Sequence, residues 1–132
     1  MFLGRIDPRK RSLEYASAGH VPGYLLRRSG DIGVALASTA PPLGVFPDQQ
    51  FCSVPAVPLE HGDIIVLLTD GITESADADD AMFGAQGALD FIRRRQQSSA
   101  DELVHGIYQA ARTFAGGAPQ MDDILSVVCK IE

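Results

Sequence analysis

The chain has 132 residues, 45% hydrophobic and 21% charged, the composition of one soluble globular domain, or part of one. Its formal charge of −6 argues against a broad nucleic-acid-binding surface. No stretch approaches the roughly 20 apolar residues of a membrane span, and Arg5, Asp7, Arg9, Lys10 and Arg11 interrupt any signal-peptide pattern.

The first half is expected to form a meander of strands. Residues 1–6 are an apolar run closed by Asp7-Pro8. Residues 12–18 alternate, with Leu13, Tyr15 and Ser17 on one side. Gly19-His20-Val21-Pro22-Gly23 reads as a turn, residues 24–28 as the returning strand, and Ser29-Gly30-Asp31 as a second turn into a strand over 32–36. Pro41, Pro42, Gly44 and Pro47 make 39–48 a loop. Residues 51–59 suit an edge strand, because Pro55 and Pro58 cannot donate to a ladder. Glu60-His61-Gly62-Asp63 then turns into a central strand over 64–69, and the Asp/Ala-rich stretch 75–81 is a polar surface loop.

Past Phe83-Gly84 the period changes. Ala85, Ala88, Leu89 and Ile92 share one helical face. Ser98 or Ser99 caps a second helix, whose stripe is Leu103, Val104, Ile107, Tyr108, Ala111 and Phe114 and whose end is Gly116-Gly117. A last apolar strand is expected over 124–131. Strands, two helices and a strand imply an α+β fold. Cys52 and Cys129 lack Cys-x-x-Cys spacing and read as free thiols, in the core or half-buried, of a reducing, cytoplasmic setting. Arg27-Arg28 and Arg93-Arg94-Arg95 read as solvated edges rather than phosphate sites.

Two acidic strand ends carry the chemistry. Asp70 follows the apolar run 64–69, and Asp122-Asp123 precedes the last one. Asp-Gly by itself suits a turn, and Asp122-Asp123 by itself suits capping or surface polarity as well as ligation. If the two strands are antiparallel neighbours, Asp70 and Asp122 converge on one rim. Converged carboxylates without a neighbouring cation repel each other, and a hard divalent ion such as Mg²⁺ or Mn²⁺ relieves that repulsion. The Cys/His spacing of structural zinc is absent. His20 is either an ordinary hydrogen-bonding turn residue or a ligand or acid near that metal site. His61 and His105 are assigned no chemistry, and no phosphate-binding glycine motif is present.

The segments LEYASAGHVPGYLL, LEHGDIIVLLTDGITES followed by FG, and MDDILSVVCKI occur in that order. Together they resemble the C-terminal half of a PPM-type (protein phosphatase 2C-like) serine/threonine phosphatase domain, in the branch of the stage II sporulation protein E and sigma-regulator phosphatases. The resemblance implies a mostly antiparallel β-sandwich with flanking helices. It also implies hydrolysis of phosphoserine or phosphothreonine by water activated between two Mn²⁺ or Mg²⁺ ions. On that resemblance Asp70 and Asp122 are ligands of the two-metal centre. Glu74 falls where some members hold an additional metal, and His20 where distant relatives carry an Asp facing it. The implied substrate is a phosphorylated regulatory protein of the anti-anti-sigma type.

Two departures bear on this. Leu125 stands where the family's last motif usually has Thr, which removes a hydroxyl from the metal loop. The family's N-terminal strands and ligands are not in residues 1–132, so the chain is expected to be a partial domain, inactive alone and self-associating through its open edges. A non-catalytic interaction module on the same fold remains the alternative. A generic β-rich ligand-binding domain is a more distant one.

Overall fold

The computed structural model describes residues 1–52 and 54–132. Among the described residues, seven strands form two antiparallel sheets. β1 (Phe2–Asp7), β2 (Ser12–Ser17) and β5 (Val57–Pro58) form a three-stranded sheet in the order β1-β2-β5. β3 (Gly23–Leu26), β4 (Ile32–Leu36), β6 (Ile64–Leu68) and β7 (Ser126–Lys130) form a four-stranded sheet in the order β4-β3-β6-β7. The expected α+β class and antiparallel sandwich are therefore present.

β6 explains why its sequence is apolar without alternation. Ile64, Val66 and Leu68 enter one core, with Leu26, Ile92, Leu103 and Ile107. Ile65 enters the other, with Leu13, Tyr15, Leu25 and Leu36, and Leu67 packs against it. A strand covered on both faces needs an apolar residue at every position. The first core lies between the four-stranded sheet and the helices α2 (Gly84–Arg94) and α3 (Ala100–Phe114). The second lies between the two sheets.

Ser99 is the cap of α3 and forms a full capping box: its hydroxyl accepts the Glu102 N–H, and its own N–H donates to the Glu102 carboxylate at 2.8 Å. Of the stripe on α3, Leu103, Ile107 and Ala111 are buried, whereas Tyr108 is exposed.

Three expectations need correction. Of the edge strand over 51–59, Val57–Pro58 forms the ladder with β2 and Val54 adds an N–H bond to the Tyr15 carbonyl at 3.1 Å, while Pro55 between them has no N–H to offer; Ser53 lies outside the described residues. Cys52 is consequently exposed, not half-buried, while Cys129 on β7 is half-buried as expected; both are free. The last strand begins at Ser126, and residues 122–125 form a loop held by other means. No helix among the described residues is long and apolar enough to cross a membrane.

Candidate metal centre

β6 and β7 pair antiparallel, from Ile64 opposite Lys130 to Leu68 opposite Ser126. That register sets the C-terminal end of β6 beside the N-terminal end of β7. Asp70 opens a one-turn helix, α1 (Asp70–Thr73), directly after β6. Asp122 lies four residues before β7. The two acidic segments thus share one rim of the sheet.

The approach is closest at Gly71, which is buried. A Cβ there would overlap the Asp123 carbonyl, 2.8 Å from its carbon, and stand 3.1 Å from the Asp122 carbonyl oxygen. Glycine is needed for lack of bulk, since its φ is not positive. Thr69 holds the same loop from the other side. Its hydroxyl faces the Asp123 and Leu125 carbonyl oxygens at 3.0 and 3.3 Å and accepts the Leu125 N–H at 2.9 Å. Its N–H donates to the Leu125 carbonyl at 3.0 Å.

Asp70, Glu74 and Asp122 are all exposed. Asp70 Oδ1 accepts the Gly71 N–H at 3.1 Å, and Asp122 Oδ1 accepts the Asp123 N–H at 2.7 Å. Each carboxylate keeps oxygen lone pairs for an external cation. Glu74 ends α1 and, with Asp122, Asp77, Asp80 and Arg112, lines a cleft of about 400 Å³. Arg112 is tethered to that wall by donating to the Ala118 carbonyl at 3.1 Å.

His20 sits apart from these groups. It precedes β3, whose antiparallel pairing with β6 brings it to the same end of the sheet. Its Nδ1 lies 2.7 Å from the Val21 carbonyl oxygen, and its ring meets Phe2 edge-on at 6.2 Å. Among the described residues no hydrogen bond joins it to Asp70, Glu74 or Asp122.

The donor chemistry at the rim, carboxylate oxygens without sulfur or nitrogen, fits Mg²⁺ or Mn²⁺. The donor number is small. Among the described residues no group of three or more His, Cys, Asp or Glu side chains converges closely enough to hold an ion. Asp70 and Asp122 alone would not complete a coordination shell.

Sequence reasoning missed Thr69, Gly71 and Arg112. Gly71 was legible as a turn residue but not as a spacer, because the group it makes room for lies more than fifty positions away. Thr69 carried a usable signal: it is the only polar residue of the run 64–69, placed next to the acidic residue.

The sequence model of the family Stage II sporulation protein E (SpoIIE) matches residues 1–132. Phosphoserine phosphatase RsbU of Bacillus subtilis is 31% identical over 110 residues, which are 83% of this chain and 32% of that protein. Protein IcfG of Synechocystis sp. is 29% identical over 127 residues, 96% of this chain and 20% of that one. The chain thus spans between a fifth and a third of these curated relatives. The SiaA-PP2C domain of Pseudomonas aeruginosa superposes with a TM-score of 0.82 at 23% identity, covering 99% of this chain and 51% of that one, which identifies the fold.

Proposed function

The chain belongs to the stage II sporulation protein E (SpoIIE) family, a family of PP2C-like phosphatase domains, and we propose that it carries one side of the metal centre of a phosphoserine/phosphothreonine protein phosphatase. The observation that carries this reading is the convergence of two acidic segments through the β6–β7 register, with Gly71 packed on the Asp122 and Asp123 carbonyls. Asp70 and Asp122 would hold a divalent cation, Mn²⁺ or Mg²⁺, with Glu74 toward an additional ion. Such an ion, when bound, supplies a Lewis acid for the phosphoryl oxygens and activates water at neutral pH. His20 would contribute through Nε2, since Nδ1 faces the Val21 carbonyl at 2.7 Å.

What the chain itself does is positional. Thr69 and Gly71 fix the spacing of the two carboxylate-bearing segments, and the cleft beside Glu74 and Asp122 gives a phosphorylated side chain a way in. The substrate we infer is a phosphoserine-bearing regulatory protein of the anti-anti-sigma type. Likeness to a protein named phosphoserine phosphatase supports it. Two carboxylates make an incomplete cage, so residues 1–132 alone are expected to bind Mn²⁺ weakly and to turn over no substrate. The remaining donors would come from the N-terminal half that completes a PPM-type domain.

The test is Mn²⁺-dependent release of phosphate from a phosphoserine peptide by the domain with its N-terminal half restored. Turnover that needs both Asp70 and Asp122 supports the reading. A folded domain that hydrolyses nothing and binds no Mn²⁺ favours the second reading, a non-catalytic interaction module, to which the two-carboxylate donor set points. Self-association of residues 1–132 is inferred from β7, an edge strand that exposes Val127 (46%) and follows the exposed Leu125 (54%). Sedimentation as a monomer at about 0.1 mM, a concentration chosen because association follows mass action, would count against it.

A further inference from the structure

We propose that Thr69 is a positioning residue that holds the Asp122–Asp123 loop in register with Asp70. The proposal rests on the metal reading above and extends it to a residue that touches no ion.

Four contacts support it. The Thr69 hydroxyl lies 3.0 Å from the Asp123 carbonyl oxygen and 3.3 Å from that of Leu125, and it accepts the Leu125 N–H at 2.9 Å. The Thr69 N–H donates to the Leu125 carbonyl at 3.0 Å. A hydroxyl has one proton and two acceptor sites. One side chain therefore serves the loop as donor and as acceptor, spanning a sequence separation of 54 to 56 residues. These bonds lie beyond Leu68–Ser126, the last ladder pair of β6 and β7. Without them residues 122–125 would leave the sheet at Ser126 with nothing from β6 to guide them.

Leu125 offers its backbone only, and its side chain is exposed. Thr69 acts from the position between β6 and α1, directly before Asp70. One residue thus sets the position of the second acidic segment relative to the first. Gly71 supplies the complementary restraint, since nothing larger lets the Asp123 carbonyl come so near. Groups that orient ligands from outside the coordination shell change metal affinity substantially when removed.

The experiment compares Thr69→Val and Thr69→Ser in the 132-residue chain. The first loses the hydroxyl and keeps the branched shape; the second keeps the hydroxyl and loses the methyl. Two quantities are read: hydrogen exchange of the Leu125 amide without metal, and broadening of the Gly71 and Asp123 amide signals by added Mn²⁺. Thr69→Val is expected to speed Leu125 exchange about fivefold, the share of one ordinary hydrogen bond. It is expected to raise the Mn²⁺ concentration for half-broadening about tenfold. Thr69→Ser restores both to within about twofold of the parent. Unchanged exchange and broadening in Thr69→Val overturn the positioning role and leave the metal reading standing. Failure of Mn²⁺ to broaden those signals in the unsubstituted chain overturns the metal reading, and with it this role.

Discussion

Gly71→Ala sets two opposed effects against each other. Ala is favoured over Gly in a helix by about 1 kcal/mol, chiefly because Gly loses more backbone freedom on folding. Gly71 lies within α1, so propensity alone predicts a gain. Against it stands the overlap with the Asp123 carbonyl, whose carbon would be 2.8 Å from the new methyl where ordinary contact begins at 3.4 Å. The neighbour is backbone, and Thr69 holds it by several hydrogen bonds, so it cannot swing aside as a side-chain tip would. Overpacking of this kind costs about 1–3 kcal/mol, and displaced hydrogen bonds add about 1 kcal/mol each. The overlap wins, and the net expectation is a loss of about 1–2 kcal/mol. Equilibrium urea unfolding followed by circular dichroism measures it as a lower midpoint at unchanged slope. A Gly71→Ala chain as stable as the parent, or stabilised, with its Asp123 amide signal unmoved, would refute the close approach of the two acidic segments.

Other outcomes follow from single residues. In the domain with its N-terminal half restored, Asp70→Asn and Asp122→Asn should each reduce Mn²⁺-dependent phosphatase activity to background, while Asp123→Asn costs far less; steady-state rates at saturating Mn²⁺ compare them. Ser99→Ala should lower stability by about 1 kcal/mol through loss of the α3 cap, read by urea unfolding. The Glu102 carboxyl is held below the ordinary glutamate value of 4.5, first by the Ser99 N–H and then by the Ser99 hydroxyl. A depressed folded value gives stabilisation that is complete above the ordinary value and lost as pH falls through the folded one. Glu102→Gln should therefore flatten the fall in stability below pH 4.5, measured as the melting temperature against pH. Arg27→Met should cost about 3 kcal/mol or more. It leaves the buried Asp63 carboxylate with the Glu60 N–H alone; Arg27, half-buried rather than the solvated edge expected, now meets it at 2.6 Å, and the carboxylate's Oδ1 has no partner among the described residues. Thermal unfolding of the variant checks it.

The legible parts of the sequence were those set by local pattern. The unbroken run Ile64–Leu68 announced a strand covered on both faces, and the two helices followed from their apolar stripes and from Ser99. The adjacency of Asp70 and Asp122 was legible only as a condition, that two strands be antiparallel neighbours, and the β6–β7 register meets it. The pieces that sequence did not reveal are long-range. Thr69 and Gly71 act on residues more than fifty positions away, and nothing in their immediate neighbours encodes that. The strand over 51–59 lies at a sheet edge as expected but is shorter, its ladder being Val57–Pro58, for a local reason that was visible: Pro55 has no N–H to offer. His20 was legible as a turn residue, and its ring turns to Val21 and Phe2 rather than to the carboxylates.

The central claim is that the rim formed by the ends of β6 and β7 binds a divalent cation through Asp70 and Asp122. Titration of Mn²⁺ into ¹⁵N-labelled chain, followed by amide signal broadening, addresses it directly, because paramagnetic broadening reports weak binding residue by residue. The account predicts saturable broadening centred on residues 70–74 and 121–124, abolished in the Asp70→Asn, Asp122→Asn double variant. Broadening spread evenly over the acidic surface, or centred on the loop 77–80 and unaffected by that double variant, would contradict it.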